Sequence, residues 1–234
     1  MPRIVPIQPA KSVADQVRDR LRDAIVDGEF GMGENISEER LTALFRVSRS
    51  PVRDALNELK FLGLVEIIPK RGSFVFLPDD AEVVDLCEYR LMLEREAAKL
   101  AMAHDAHGLT GRLREVCARM TRMQDSDDHA GYSRADAEYH AAFFDFCGNR
   151  LVRDAYALAD ARIGTLRTAL TAPSDQRRDA SFREHLTMVA QLEHGDMAAF
   201  AATLAEHIDR TRRVARVELR KFKERSDDNT ARPA

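Results

Sequence analysis

At Gly63 the hydrophobic period of the chain changes, and that switch restricts the fold more than any other feature. Before it, Val52, Ala55, Leu56, Leu59 and Leu62 recur at threes and fours, so residues 49–62 form one amphipathic helix. After it, "LVEII" alternates, "PKRG" is a turn and "SFVFL" returns, which makes a β-hairpin. Upstream, Val13, Val17, Leu21, Ala24 and Ile25 draw a helical stripe over 11–28, closed by Gly28 and Gly31. A short helix fits 37–45, capped by Ser37, with Leu41, Leu44 and Phe45 on its apolar side. Three helices and a hairpin, preceded by an arm bearing Pro2, Pro6 and Pro9, make residues 1–78 a winged helix-turn-helix.

Pro78-Asp79-Asp80 ends this unit: Pro stops the strand, and Asp79 or Asp80 caps a new helix. From there to 224 only helical periodicity appears. Helices are expected over 80–104, 109–126, 131–147, 150–171, 175–194 and 196–222. Turns at Gly108, Gly131, Gly148-Asn149, Pro173-Ser174 and Gly195-Asp196 separate them. The fold class is therefore mostly α: a winged helix-turn-helix and, over 79–224, an all-α bundle. The tail 225–234, "RSDDNTARPA", is polar and is expected to be disordered. Cys87, Cys117 and Cys147 form no CxxC pair and read as reduced thiols. No apolar run approaches the ~18 residues of a membrane span, which points to a cytoplasmic protein with no membrane partner.

The formal net charge of −3 gives no hint of a nucleic-acid partner, so the argument rests on where the cations sit. Between 46 and 71, Arg46, Arg49, Arg53, Lys60, Lys70 and Arg71 face only Asp54, Glu58 and Glu66. With Ser50 or Ser48 as the cap of the third helix, Arg49 sits at its N-terminus and Arg53 projects from its first turn, opposite the apolar stripe. A helix N-terminus favours phosphate, and arginine adds the bidentate geometry that suits phosphate or guanine. At the hairpin tip, Lys70 and Arg71 beside Gly72 can enter a minor groove. The candidate DNA contacts are thus Arg49, Ser50, Arg53, Lys70, Arg71 and Gly72.

The run "AIVDGEF…ISEERLTALFRVSRSPVRDALNELKFLGLVEIIPKRGSFV" resembles the DNA-binding domain of GntR-type bacterial transcription regulators over nearly all of 12–76. Arg46 stands where that family's turn usually has Gly, so its backbone either avoids positive φ or carries strain. Glu39-Arg40 reverses the commoner order of that pair, which leaves Arg40 a weaker DNA-contact candidate.

The histidines of the second unit fall into two groups. His104, His107, His129 and His194 lie near helix ends and read as solvent-facing or capping. His140, His185 and His207 each lie on an apolar stripe of a different helix, and Asp136 precedes His140 by one turn. Spacing alone leaves two readings open, satisfied core histidines or a metal site. "RADAEYHAAFFDFCGNRLV", "FREHLTMVAQLEHGDMAAFAATLAEHI" and "LCEYRLMLEREAAKLA" are similar to the helical C-terminal ligand-binding (FCD) domain of the FadR subfamily. That resemblance implies a divalent metal on Asp136, His140, His185 and His207. Three imidazoles and a carboxylate suit Zn²⁺ or Ni²⁺, with Mn²⁺ possible. It also implies a small organic acid as effector, met by Arg90; the competing role for Arg90 is a surface ion pair with Glu94.

The expected function is a metabolite-responsive transcription regulator, a repressor by the family's commoner habit. It would be a homodimer on a short palindromic operator of double-stranded DNA. Two alternatives accompany it: a metal that only staples the bundle, with no carboxylate effector, and a metalloenzyme in which the Asp/His₃ site activates water. Against an enzyme, no general base accompanies the ligands, because Glu184 and Glu206 precede two of the histidines and project elsewhere.

Overall fold

The computed structural model of the chain describes residues 11–171 and 174–230. The proline-bearing arm, the Pro173 turn residue and the last four residues lie outside them. The chain divides into two compact units that meet between Phe76 and Leu77.

In the first unit, α1 (Val13–Val26) starts on a capping box in which Ser12 and Asp15 satisfy each other's backbone N–H groups. Val17, Leu21 and Ile25 are its buried stripe. They share a core with Val52, Ala55, Leu56 and Leu59 of α3 (Arg49–Phe61). Between them, α2 (Glu38–Phe45) starts on Ser37 and buries Leu41. Leu44, expected on its apolar side, is exposed. Gly28 and Gly33, rather than Gly31, carry positive φ after α1.

The turn between α2 and α3 passes through Arg46 at φ 55, so the residue standing in the family's usual glycine position does adopt the left-handed conformation. Ser48, not Ser50, is the N-cap of α3, and its side chain makes no capping bond. Pro51 therefore sits in the first turn, where a missing N–H is tolerated.

The hairpin is present as β2 (Val65–Ile68) and β3 (Gly72–Val75), paired antiparallel with Ile68 opposite Gly72. A third strand, β1 (Asn35–Ile36), pairs with the other edge of β3, so the order is β1-β3-β2. Two residues show no period, and β1 is invisible to pattern reading. At the tip, Lys70 (φ 64) and Gly72 (φ 112) both take positive φ. A Cβ on Gly72 would also come within 3.0 Å of the Asn35 side chain.

The second unit is all helical. Its longest element, α4 (Asp80–Asp125), starts on Asp79 through a capping box with Glu82. It is interrupted at Asp105 (φ −152, ψ 76), whose carboxylate accepts from the Gly108 N–H and so caps the second half. The two helices expected here are joined through one non-helical residue. Along α4 pack α5 (His129–Asp145), α8 (Asp175–Glu193) and α9 (Met197–Thr230). Leu113, Met120, Tyr139, Phe143, Met188, Leu192, Phe200 and Leu204 are among the side chains that fill the bundle.

Two expectations need correction. The single helix over 150–171 is three pieces: α6 (Arg150–Ala157), α7 (Asp160–Leu166) and a π-helical turn, Arg167–Thr171. The tail expected to be disordered from 225 is helical to Thr230. No Gly or Pro interrupts it before Pro233, so nothing in the sequence stops the helix at 224. Among the described residues no helix is long and apolar enough to cross a membrane.

Candidate functional site

Two groups of side chains stand out, one in each unit. In the first, Arg49, Ser50 and Arg53 are all exposed at the start of α3, and Lys70, Arg71 and Gly72 are exposed at the hairpin tip. Arg53 is not idle: its Nε lies 2.8 Å from Glu38 Oε2 on α2. Arg40 is 2.6 Å from Glu34 Oε1, with its guanidinium over the Phe30 ring. Arg71 lies over Phe74, at 5.7 Å. The two ion pairs sit at the surface, where such pairs hold loosely and can exchange for another anion.

The second group is interior. The ligand atoms of His140 on α5, His185 on α8 and His207 on α9 lie within 4.8 Å of one another, and all three rings are buried. Asp136, one turn before His140, is buried too. Its Oδ1 lies 3.6 Å from His185 Nε2, while its Oδ2 accepts from Arg167 at 2.6 Å. The four residues singled out in the sequence are thus neighbours, but Asp136 leans on His185 and Arg167 rather than on His140.

Each of two histidines is held from behind by a carboxylate. His140 Nδ1 is 2.9 Å from Glu94 Oε2, and His207 Nδ1 is 2.7 Å from Glu184 Oε2. A proton on each Nδ1 satisfies these contacts and leaves Nε2 as a lone-pair donor. His185 differs, since neither ring nitrogen has a hydrogen-bond partner despite complete burial. Arg90 is also interior. It pairs with Glu94 at 2.7 Å, and its Nη2 is 2.7 Å from His140 Nε2. The expected alternative role for Arg90 assumed a surface ion pair; the pair forms, but both side chains are buried.

Burial lowers the basicity of all three imidazoles. It drives His185 to about 3 against the pull of Asp136, and it holds His140 well below its ordinary value with help from Arg90. His207 is lowered by burial despite its bond to Glu184. The rings are therefore neutral at pH 7, the form that can coordinate a metal. Burial would raise Asp136, but Arg167 and then the histidines outweigh it and hold the carboxyl well below its usual range. Glu184 is likewise opposed by burial, and its bonds to His207 and Arg210 bring it down to about 2.

Part of this group opens onto a cavity of about 460 Å³, counting its open mouth. Arg90, Asp136, Arg167 and His207 line it together with Arg177, Arg178 and Arg210. Pattern reading missed Arg167 altogether, saw Glu94 only as a partner of Arg90, and had Glu184 projecting away from the histidines, whereas it reaches His207. Glu184 engages His207 across 23 positions of sequence, a pairing with no local signal. His104, His107, His129 and His194 are exposed, as expected from their places near helix ends.

Comparisons with known proteins agree with both halves of this description. Residues 85–210 match the FCD domain, and residues 13–75 match the bacterial regulatory proteins of the gntR family. A D-xylose utilization operon transcriptional repressor of Paenarthrobacter nicotinovorans is 27% identical over 197 residues, covering 84% of this chain and 86% of that protein. The transcriptional repressor NanR of Shigella dysenteriae is 25% identical over 221 residues, 85% and 82% of the two chains. Among solved structures, a GntR transcriptional regulator from Rhodococcus sp. RHA1 shares the fold at TM-score 0.75 and 22% identity, over 86% of this chain and 96% of that one. These relatives are transcription regulators rather than enzymes. With a helix-turn-helix unit followed by an all-helical FCD unit, the chain belongs to the GntR family of DNA-binding transcription regulators, in its FCD-containing form.

Proposed function

We propose that the chain is a cytoplasmic, homodimeric repressor whose helical unit senses a small carboxylate through a divalent metal. The observation that carries this reading is the convergence of three buried, neutral imidazoles beside Asp136 at the end of an arginine-lined cavity. His185 supports the fit most directly. An imidazole buried with both nitrogens unbonded costs about 1–3 kcal/mol per orphaned group, and coordination would remove part of that cost. Asp136, His140, His185 and His207 would hold the metal, and Zn²⁺ or Ni²⁺ suits this donor set, with Mn²⁺ possible. Once held, the ion would supply a fixed positive charge and a Lewis-acidic position for an anionic oxygen.

Arg90 occupies the single lone pair of His140 Nε2, which a bond to the metal would need. With Nε2 engaged, Arg90 turns its donors toward the cavity, where the carboxylate of a small organic acid meets them. In the first unit, Arg49 and Arg53 contact phosphate and base edges from α3, with Ser50 at the helix N-terminus. Lys70, Arg71 and Gly72 enter the adjacent minor groove, and Arg40 reaches a flanking phosphate. Two-fold symmetry of the dimer matches a short palindromic operator. Operator affinity then changes by the effector's differential affinity for two conformations of the protein. The relatives named as repressors support the sign.

A second reading keeps the metal as a staple without an effector. It is favoured by the burial of Arg90 and by its full engagement with Glu94 and His140. Elemental analysis followed by a thermal-shift screen of small carboxylates, with and without chelator, separates the two. Metal near one per chain and chelator-sensitive stabilisation by an acid support the sensor. Metal without any carboxylate response leaves the staple, and protein that contains and binds no metal removes both.

A further inference from the structure

Two carboxylates each do the same double task around the centre. Glu94, on α4, reaches His140 Nδ1 at 2.9 Å through Oε2 and Arg90 Nε at 2.7 Å through Oε1. Glu184, on α8, reaches His207 Nδ1 at 2.7 Å through Oε2 and Arg210 at 2.9 and 2.6 Å. In both cases one carboxylate joins a candidate ligand histidine to an arginine that lines the cavity. The partners come from different helices: α4 with α5 for His140, and α8 with α9 for His207. His185 has no such support.

We propose that Glu94 and Glu184 are positioning residues of the centre, each fixing one imidazole in the Nδ1–H tautomer while anchoring one cavity arginine. The proposal rests on the metal reading above and adds to it which residues orient the ligands. An acceptor behind Nδ1 does two things: it leaves Nε2 as the nitrogen with a lone pair for the centre, and it makes that nitrogen a stronger donor. His185, without an acceptor, is held instead by stacking on the Tyr139 ring at 4.2 Å. Because Glu184 Oε2 meets both His207 and Arg210, the histidine and a cavity-lining arginine share one support.

Glu94 is fully buried against Arg90, so its removal endangers the fold. Glu184 is part-exposed and provides the cleaner test. Metal-stripped, full-length protein is titrated with Zn²⁺ against a competing chelator for wild type, Glu184→Ala, Glu184→Gln, Arg210→Ala and the exposed control Glu206→Gln. Loss of a supporting carboxylate weakens metal binding by roughly 10–100-fold, and that is the expectation for Glu184→Ala. Glu184→Gln, whose amide oxygen still accepts from Nδ1–H, recovers part of the loss. Arg210→Ala leaves the carboxylate to His207, so Zn²⁺ affinity stays at the wild-type level or rises. Glu206→Gln matches wild type.

Co²⁺-loaded Glu184→Ala should also show shifted d–d bands, which a merely structural residue would leave in place. Equal Zn²⁺ affinity in Glu184→Ala and wild type overturns the proposal while leaving the metal reading intact. So does Arg210→Ala weakening binding as much as Glu184→Ala, since the effect would then travel through packing of the arginine. Failure of wild type to bind Zn²⁺, Ni²⁺ or Mn²⁺ overturns both.

Discussion

Two arginine–glutamate pairs, one in each unit, have nearly the same length and opposite surroundings. Arg53 and Glu38 meet at 2.8 Å with 59% and 36% of their side chains exposed. Arg90 and Glu94 meet at 2.7 Å with 3% and 0% exposed. The first pair gains little because water screens it and solvates either partner alone, so Arg53 can leave Glu38 for a phosphate at small cost. In the second, each charge depends on the other, for neither has water to return to. A DNA-reading surface needs exchangeable partners, and an interior centre needs fixed ones. Contact distance alone does not distinguish them; burial does.

The comparison is broken most directly at Glu94. Its replacement by alanine strands Arg90 in the interior and should cost about 3–5 kcal/mol of stability, read by denaturant unfolding in the presence of chelator. A loss below about 1 kcal/mol would mean that water reaches the pair, and the contrast between the units would disappear. Next in size is the reading head. Arg49→Ala and Arg53→Ala should each weaken binding to a selected operator by about 1–3 kcal/mol with thermal stability unchanged. Fluorescence anisotropy with operator recovered from a random pool measures this, and near-wild-type affinity in both variants would remove α3 from the interface.

The same contrast explains what could be read from the residues alone. The first unit is built of neighbours in sequence: the stripe 52–59, the stop at Gly63 and the turn at Pro69–Gly72 all lie within one short stretch. Its errors are local as well. Leu44 faces outward, Ser48 takes the cap from Ser50, and the two-residue strand Asn35–Ile36 is too short to show alternation. In the second unit, Asp136, His140, His185 and His207 were legible because a polar residue on an apolar stripe is costly and stands out. Their partners were not. Glu94, Arg167 and Glu184 look like ordinary charges of helix surfaces until tertiary packing buries or half-buries them beside a histidine or aspartate. The break of 150–171 into three pieces is as hard to read, for neither Leu158 nor Ala159 is a Gly or Pro, and the one glycine of the segment, Gly164, lies inside a helix.

A smaller effect, on pH, sharpens the account of the interior. His185 has its pKa depressed in the folded state to about 3 from an ordinary 6.5, chiefly by burial. The unfolded chain therefore takes up the proton first. The stability associated with neutral His185 is fully present above about pH 6.5 and is lost as pH falls toward 3, at about 1.4 kcal/mol per pH unit. Asp136 and Glu184, also depressed, add their losses only at lower pH, beneath the ordinary carboxylate range. In chelator, between pH 6.5 and 5, His185→Ala should have a shallower stability slope than wild type by that amount. An unchanged slope would show that His185 does not stay neutral in the folded protein.

The smallest expected effect is the most discriminating for the exposed pair. Glu38→Ala removes the partner of Arg53 and should change stability by at most about 1 kcal/mol. Its effect on DNA should run the other way from a lost contact. Glu38 is a negative charge beside an arginine proposed to meet phosphates, so its removal should relieve repulsion and free Arg53 from a competing anion. Operator affinity should rise a few-fold at low salt, and the gain should shrink as salt increases, because the screening length falls to about 8 Å at physiological ionic strength. Weaker binding in Glu38→Ala would give the opposite lesson. Glu38 would then be holding Arg53 in its binding geometry, and the surface pair would serve orientation in the manner of the buried one.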